Sequence, residues 1–447
     1  MSSVPRSLRY DLLSQAAPCR TWTSQFYAEN GQTFREGSST WITIPSGGQN
    51  QFLAPDVRLC FNVTNTSDQY ITLDGTINSA ISKLEVYCGS NLLVSVQEYG
   101  ALFSMLYDTQ APSTHRSTAG KLMGVSDTAR MGEPTENYLM GQNINPGATD
   151  TFSIPLLCGL FHLSDKEIPL GQLQADLRIK IDWEQTSNWD CRGAGGSVEF
   201  SDVNLTCIMR EVPDSVDAAI AKTSQGGSFS MHSKDYSNYV NVIPADSGSA
   251  SILIPCRVSS LSTILHCIRP TANWGNNNRR SITGRCTGNL TKFSYQINGV
   301  NIPQIAVPVE TNTADQDHKP NVTQSMPHLL QALGLYDGMQ PLGCGLERLL
   351  YFQKGDTAED TFDADQENGG DFYSQSLGTF LFAVDLGSFP AEYDNVINAG
   401  LSTLTSTIML LLEFNDEPTT QSYRLSSFAC YDSLYFIDDS GILNVRK

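Results

Sequence analysis

The sequence lacks the short motifs that build the commonest catalytic and nucleotide-binding sites. It contains no Gly-x-x-x-x-Gly-Lys-Ser/Thr phosphate loop, no Gly-x-Ser-x-Gly nucleophile elbow and no His-Glu-x-x-His zinc pair. Gly343 and Gly345 are not followed by the third glycine of a dinucleotide fingerprint. The six histidines are scattered, with no two at the helical spacing of metal ligands. We therefore assign no catalytic, cofactor-binding or metal-binding residue.

The chain also has few charged residues and no long apolar run. Charged residues make up 17% and hydrophobic residues 40% of the 447 residues, a composition typical of a folded chain. Residues 1–8 are polar, unlike a signal peptide, and the densest apolar run, residues 408–412, is shorter than the roughly 20 residues of a membrane span. The 11 cysteines include no Cys-x-x-Cys pair, so we expect free thiols in a reducing compartment.

The net charge of −19 argues against a broad surface for binding nucleic acid. The main basic cluster is Arg279, Arg280 and Arg285, next to Trp274. Such a loop is suited to contact nucleic acid or an acidic neighbouring subunit. We favour the simpler interpretation, an exposed turn between strands.

One segment is strongly acidic. Seven acidic residues lie within sixteen positions that contain no base: Asp356, Glu359, Asp360, Asp363, Asp365, Glu367 and Asp371. A calcium loop starting at Asp363 would need glycine at its sixth position and glutamate at its twelfth, where this chain has Asn368 and Ser374. We interpret the segment as a solvated surface loop. Metal binding stays open, as does paired acid–base chemistry on a sugar.

Alternating apolar and polar residues predict half-buried β-strands. The alternation is clear at residues 41–44, 57–63, 177–183, 203–209 and 293–297. Residues 251–254 and 408–412 are apolar on both faces, which favours central strands, and Trp41 and Trp183 are predicted core residues. Helical patterns are short, at residues 97–106 and 327–335. The pattern indicates an all-β sandwich protein.

Four features recur in the same order in the two halves of the chain. They are a hairpin (82–94 and 291–302), a short apolar helix closing in Tyr-Asp (102–108 and 329–337), a Thr-Phe strand (150–154 and 378–382) and a long apolar strand (177–183 and 408–414). This internal repeat predicts two similar sandwiches in tandem. We place the N-terminal domain at residues 1–212, a linker with one short helix at 213–228 and the C-terminal domain at 229–447.

The repeated segments resemble a known family. Residues 80–93, 98–108 and 290–303, together with the opening residues 30–45, are similar to the double jelly-roll major capsid proteins of icosahedral double-stranded DNA viruses, especially the polinton-like virus and virophage group. The acidic segment has no counterpart in this resemblance.

The resemblance implies an all-β fold of two tandem eight-stranded jelly rolls with short helices and long loops. It also implies a non-enzymatic major capsid protein, without cofactors. Such proteins form homotrimers of pseudo-hexagonal outline, which contact neighbouring capsomers, pentons and minor capsid or cement proteins. The expected location is the virion, after synthesis and assembly inside the host cell, with no sequence-specific binding of nucleic acid.

Two other classes of function remain open at this stage. A carbohydrate-active or amide-hydrolysing enzyme can be built on two jelly rolls, and so can a viral spike or attachment protein, because function depends on sites rather than on the fold. An enzyme is expected to gather two or more carboxylates and aromatic residues in one cleft. A capsid protein is expected to present broad side walls instead.

Overall fold

The structure is a computed structural model. It describes residues 18–48, 50–111, 115, 118–125, 141–161, 166–191, 196–223, 229–275, 280–309, 325–337, 340–341, 377–387, 400–414, 421–438 and 440–447. The acidic segment from Asp356 to Asp371 lies outside these residues, as does Arg279.

Strands dominate both halves of the described chain. In the first half they are β1 (Arg20–Tyr27), β2 (Thr33–Arg35), β3 (Ser39–Ile44), β4 (Gln51–Asn65), β5 (Ile71–Thr72), β6 (Ile81–Cys88), β7 (Asn91–Gln97), β8 (Asn143–Ile144), β9 (Thr149–Pro155), β10 (Ile168–Pro169), β11 (Leu177–Trp183) and β12 (Val198–Glu211). In the second half they are β13 (Ser230–Ile243), β14 (Ser249–Ile254), β15 (Leu261–Pro270), β16 (Leu290–Ile297), β17 (Val300–Pro308), β18 (Tyr336–Asp337), β19 (Gln340–Pro341), β20 (Ile408–Phe414), β21 (Tyr423–Ile437) and β22 (Leu443–Arg446).

Helices are few and short. The α-helices are α1 (Tyr99–Gln110), α2 (Thr186–Trp189), α3 (Asp214–Thr223) and α4 (Ser325–Ala332). Single 3₁₀ turns span Ile77–Ala80, Ala119–Met123, Leu170–Gln172 and Thr271–Asn273. The helix predicted to close at Tyr336-Asp337 ends earlier, because Gly334 adopts a positive φ of 67° that stops the helix, and those two residues form β18 instead. None of the described helices is long and apolar enough to cross a membrane.

The first half forms two antiparallel sheets. One has the order β1–β12–β4–β9, with β2 beside β12 and β10 beside β4, and the other has the order β3–β11–β6–β7. The longer strands of this half can be numbered 1 to 8 in chain order, with β1 and β2 counted as one strand and the two-residue strands left out. The order across the first sheet is then 1-8-3-6, and the order across the second sheet is 2-7-4-5. This is the connectivity of a jelly roll.

The second half repeats this arrangement. Its sheets have the orders β13–β21–β15 and β14–β20–β16–β17. Residues 377–386 lie beside β15 where β9 lies beside β4, but they make isolated bridges such as His266 with Phe382 rather than a continuous strand. The fold class predicted from the sequence is therefore confirmed, and the four repeated features occupy equivalent places in the two halves.

Alternation places one face of each strand in the core. In β11, Leu177, Ile179, Ile181 and Trp183 are buried, while the residues between them are at least partly exposed. The ring of Trp183 stacks on Phe200 at 4.0 Å, and its indole N–H donates to Thr40 Oγ1 at 2.8 Å. The buried polar atom is thus satisfied, as a tryptophan in a core requires.

Two predictions about packing are wrong. Trp41 is on the outer face of its sheet, against Tyr87 at 5.8 Å and beneath the guanidinium of Arg178, because Thr40 and Ile42 take the inward positions of β3. The segment 251–254 forms part of β14, which among the described strands pairs only with β20 and is an edge strand with Leu253 55% exposed. By contrast, β20 lies between β14 and β16 as predicted.

Replacement of Phe61 by alanine tests the packing of the first core. Phe61 is 1% exposed and contacts Phe152, Trp183 and Phe200, with ring centroids 5.1–6.1 Å apart. We expect F61A to lower the free energy of unfolding by about 3–5 kcal/mol, measured by denaturant titration. The exposed control Leu253→Ala should change it by roughly 0.5 kcal/mol or less. Equal effects of the two substitutions would contradict this packing.

Candidate assembly interface between the two jelly rolls

Buried ion pairs join the two jelly rolls. Acidic residues of the first half meet arginines of the second half, and these side chains are almost inaccessible to solvent. The arginines singled out from the sequence are among them: Arg280 is 2% exposed and Arg285 is fully buried. The expectation of an exposed turn is therefore wrong for these two residues, because each is paired with an acid of the neighbouring jelly roll.

Glu98 is the centre of the first ion-pair cluster. Its carboxylate accepts hydrogen bonds from Arg269 Nη2 at 2.7 Å, from Arg424 Nε at 2.8 Å and from Ser426 Oγ at 2.6 Å. Glu98 lies between β7 and α1 in the first jelly roll, and its three partners belong to β15 and β21 of the second. A single carboxylate thus holds two strands of the neighbouring sheet.

The backbone and the charges around Glu98 both favour this contact. The residue has a φ of 48°, a left-handed conformation that turns the chain sharply from β7 into α1. Burial by itself raises the pKa of the carboxyl, but the charges of Arg269 and Arg424 outweigh burial and lower the pKa to about 2. Glu98 is therefore ionised at neutral pH although it is buried.

Trp274 covers the same cluster. The guanidinium carbon of Arg424 lies 4.5 Å from the centroid of the Trp274 ring, and that of Arg269 lies 5.7 Å from it. The neighbouring Gly275 N–H donates to Asn188 Oδ1 of the first jelly roll at 2.8 Å. The tryptophan next to the arginine cluster thus stacks on cations of its own chain.

A second cluster surrounds Arg285. Its Nη2 donates to Asp108 Oδ2 at 2.5 Å and its Nη1 donates to Ser104 Oγ at 2.8 Å, and both acceptors are on α1. The same guanidinium donates to the carbonyl of Thr379 at 3.4 Å. Arg285 therefore links α1 of the first jelly roll to two segments of the second.

Asp74 forms the third cluster. It is fully buried, and its carboxylate accepts the backbone N–H groups of Ile282 at 2.8 Å and Thr283 at 3.0 Å. Arg280 Nε lies 3.7 Å from the other oxygen, to which the Thr283 hydroxyl also donates. Asp74 thus fixes the backbone of the segment that carries Arg280 and Arg285.

A buried acid of the second jelly roll makes the reverse contact. Asp235 on β13 accepts the N–H of Gly159 at 3.1 Å and the hydroxyl of Ser433 at 2.6 Å, and the Tyr435 hydroxyl also donates to it. Burial raises the pKa of Asp235 above its ordinary value. A Cβ atom on Gly159 would lie 2.0 Å from Asp235 Oδ1 and 2.8 Å from the carbonyl oxygen of Lys234, so only glycine fits.

The outer edge of β7 completes the interface. This strand lies against β13 and β22 of the second jelly roll. Asn91 Nδ2 donates to Asn444 Oδ1 at 2.6 Å at one end of the strand, and Asn238 Nδ2 donates to the carbonyl of Gln97 at 3.4 Å at the other. An edge that would otherwise be open is therefore covered within the same chain.

A metal site requires several ligand side chains that converge on one position. No group of three or more His, Cys, Asp or Glu side chains converges on a possible metal position within the described ranges. A cavity of about 350 Å³ lies between the jelly rolls and α3, lined by Phe52, Lys166, Glu167, Pro169, Arg210, Val212, Ile220, Phe229, Ser230 and Met231. Its lining includes one carboxylate, Glu167, which is paired with Arg210.

The cysteines of the described chain are free thiols, and most of them are buried. Burial raises the pKa of Cys158 and Cys207 to about 12 and that of Cys430 to about 11. These thiols are protonated near neutral pH and unreactive, because the thiolate is the nucleophilic form.

Solved structures share this arrangement over almost their whole length. The PBCV-1 virus capsid protein matches with a TM-score of 0.60 and 10% identity, over 98% of this chain and 98% of that one. The Sputnik virophage structure matches with a TM-score of 0.58 and 9% identity, over 100% and 92% of the two chains. The Faustovirus major capsid protein matches with a TM-score of 0.57 and 10% identity, over 96% and 92%.

The chain has the double jelly-roll fold. At about 10% identity the likeness concerns the fold alone, and it agrees with the resemblance drawn from residues 30–45, 80–93, 98–108 and 290–303. No family model and no curated protein sequence matches the chain.

Sequence reasoning found one side of the interface and missed the other. Arg280 and Arg285 are recognisable in the sequence as part of a basic cluster, and an acidic neighbouring subunit is one of the contacts for which such a loop is suited. Their acidic partners were not recognised, although Asp108 belongs to the repeated Tyr-Asp feature. Asp74 and Glu98 lie in ordinary polar surroundings in the sequence, and only the fold brings them to arginines about 170–330 positions away.

Replacement of Glu98 by glutamine should weaken the interface strongly. It leaves Arg269, which is 2% exposed, without its charged partner, so we expect a loss of about 3–5 kcal/mol in the free energy of unfolding. The matched control is Glu413→Gln, whose pair with Lys292 is 52–58% exposed and should be worth less than about 1 kcal/mol. Denaturant titration of both variants checks this.

The same variant tests a pH dependence. The pKa of Glu98 is about 2 in the folded protein against an ordinary value of 4.5, so its stabilisation is complete above about pH 4.5 and is lost as the pH falls towards 2. We expect the stability of the wild type to fall more steeply than that of E98Q across this window, measured by thermal unfolding. Parallel curves would contradict the role of the ionised carboxylate.

Replacement of Gly159 by alanine tests the contact with Asp235. The added methyl group overlaps Asp235 Oδ1 and the Lys234 carbonyl, so we expect a loss of roughly 1–3 kcal/mol in unfolding free energy. Gly248 is the control, because nothing lies within 4 Å of its added Cβ. If G159A and G248A unfold alike, the close approach of the two jelly rolls at this point is disproved.

Proposed function

We propose that this protein is a structural major capsid protein that self-assembles as pseudo-hexagonal homotrimers into an icosahedral virus shell, without catalysis. The observation that carries the proposal is the double jelly roll itself, which matches the PBCV-1 capsid protein over 98% of both chains. The neighbours are structural proteins of virus particles.

The interface between the two jelly rolls supports this function. The clusters around Glu98, Asp108 and Asp74 join the two sandwiches through buried charges. Separating the sandwiches would expose each cluster and break its hydrogen bonds, so the chain is expected to move as one rigid block. A shell subunit needs such a block, since each of its contacts must keep a fixed geometry.

The number of jelly rolls explains the proposed outline. Three chains with two similar sandwiches each present six similar units around one axis. A threefold trimer of this kind has a nearly sixfold shape and fills positions surrounded by six neighbours. The partners would then be two further copies in the trimer, neighbouring capsomers, and the penton and minor capsid or cement proteins of the virion.

The polar chemistry of the described chain supports a structural protein more than an enzyme. Buried Asp74, Glu98, Asp108 and Asp235 are all bound by groups of the opposite jelly roll. They therefore act as structural acceptors and do not line the cavity beside α3.

We propose that the chain is divided into an N-terminal domain at residues 1–212, a linker at 213–228 and a C-terminal domain at 229–447, and that this division serves assembly. The buried free thiols suit synthesis and assembly inside a reducing host cell, followed by incorporation into the virion.

Light scattering and electron microscopy test the proposal. The purified chain should have a solution mass three times that of the 48.9 kDa monomer, and its negative-stain class averages should show a pseudo-hexagonal outline. A protein that stayed monomeric at high concentration, and that formed no such particles, would overturn the proposal. Turnover of a glycan or amide substrate by the purified chain would overturn the absence of catalysis.

A further inference from the structure

Corresponding edge strands of the two jelly rolls, β7 and β17, have different surroundings. β7 is the last strand of the sheet β3–β11–β6–β7, and β17 is the last strand of the sheet β14–β20–β16–β17. Each is the second strand of the repeated hairpin. β7 lies against β13 and β22 of the second jelly roll, whereas β17 makes substantial contact only with β16 among the described elements.

The side chains on these two edges differ accordingly. Leu93, Val94 and Val96 of β7 are buried. On β17, Val300 is 61% exposed and Ile305 is 83% exposed, the highest exposure of any large apolar side chain in the described residues. An open strand edge with exposed aliphatic side chains is a surface for another chain, since soluble proteins otherwise protect such edges.

The complementary surface is also open. β13, against which β7 packs, is the first strand of the second jelly roll, and its counterpart in the first jelly roll is β1. No residue of β1 is fully buried: Trp22 and Phe26 are partly exposed and Tyr27 is 58% exposed. Within the described chain β1 contacts β12 and β3 but has no strand in the place that β7 takes beside β13.

We propose that β17 of one copy packs against β1 of the next copy, which repeats between chains the contact that β7 makes with β13 within a chain. This inference rests on the proposed trimer and names the surfaces that form it. The interface is head-to-tail, because the two surfaces are different, and it closes when three copies complete a ring of six jelly rolls. The aliphatic side chains of Val300 and Ile305 are its apolar centre on one side, and the exposed aromatic ring of Tyr27 on β1 meets them from the other.

Charged substitutions on β17 test the inference. Val300→Asp combined with Ile305→Asp places two carboxylates in the proposed interface, and both positions are exposed in the single chain, so the fold should persist. We expect light scattering to show monomers at concentrations where the wild type is trimeric, with an unchanged circular dichroism spectrum. Tyr27→Asp on β1 should shift the equilibrium in the same direction.

The control is Leu253→Asp. Leu253 is 55% exposed on β14, at the opposite edge of the same sheet, and its counterpart strand β3 has no substantial contact with the second jelly roll. This variant should remain trimeric. Hydrogen exchange gives a second measurement that needs no substitution: amides of residues 20–27 and 300–305 should exchange more slowly in the trimer than in chains diluted to monomers.

The outcomes separate this inference from the proposed function. A trimeric wild type whose β17 variant is also trimeric, with no protection of residues 300–305, overturns the named surfaces and leaves the capsid proposal standing. A wild type that is monomeric under all conditions overturns both. Dissociation of the L253D control together with the β17 variant also overturns the inference, because the effect would then not be specific to that edge.

Discussion

The structure depends on the pairing of arginines that are buried between the two jelly rolls. Arg269, Arg280 and Arg285 are at most 2% exposed. A buried guanidinium without an anion costs several kcal/mol, so each one requires an acid from the opposite sandwich at a fixed position. This requirement fixes the relative placement of the two jelly rolls at these points, because a hydrogen-bonded charge pair has a defined distance and direction, whereas the apolar contacts of the buried core do not.

Two of the acids that meet this requirement lie in or beside one helix of the first jelly roll. Glu98 precedes α1 and Asp108 is within it, so the helix that joins two strands also presents two carboxylates to the neighbour. Asp74 adds a third contact from the loop that follows β5. The same packing covers β7 with strands of the second jelly roll and leaves β17 open.

Much of the fold was predictable from local pattern. A strand such as β11 is recognisable from the sequence, because every second residue must face a core. The hairpins at 82–94 and 291–302 are recognisable from Gly89 and Gly299 in their turns, both of which have a positive φ. The two wrong predictions about packing also have local causes. Trp41 is large and apolar but occupies an outward position of β3, and β14 is apolar on both faces although it is an edge strand with an exposed Leu253.

The sequence by itself determined the strand pattern, the internal repeat and hence a pair of similar sandwiches, since alternation and turn residues act over a few positions, and the resemblance to the capsid family implied that each sandwich is a jelly roll. Only the tertiary structure decided the interface. The local sequence around an arginine in a loop is the same whether its side chain is solvated or buried. Arg285 is buried because it pairs with Asp108, which is 177 positions away in the chain. The packing of the two sandwiches brings these charges together. A pattern over neighbouring residues does not contain that information, because the paired residues are far apart in the sequence.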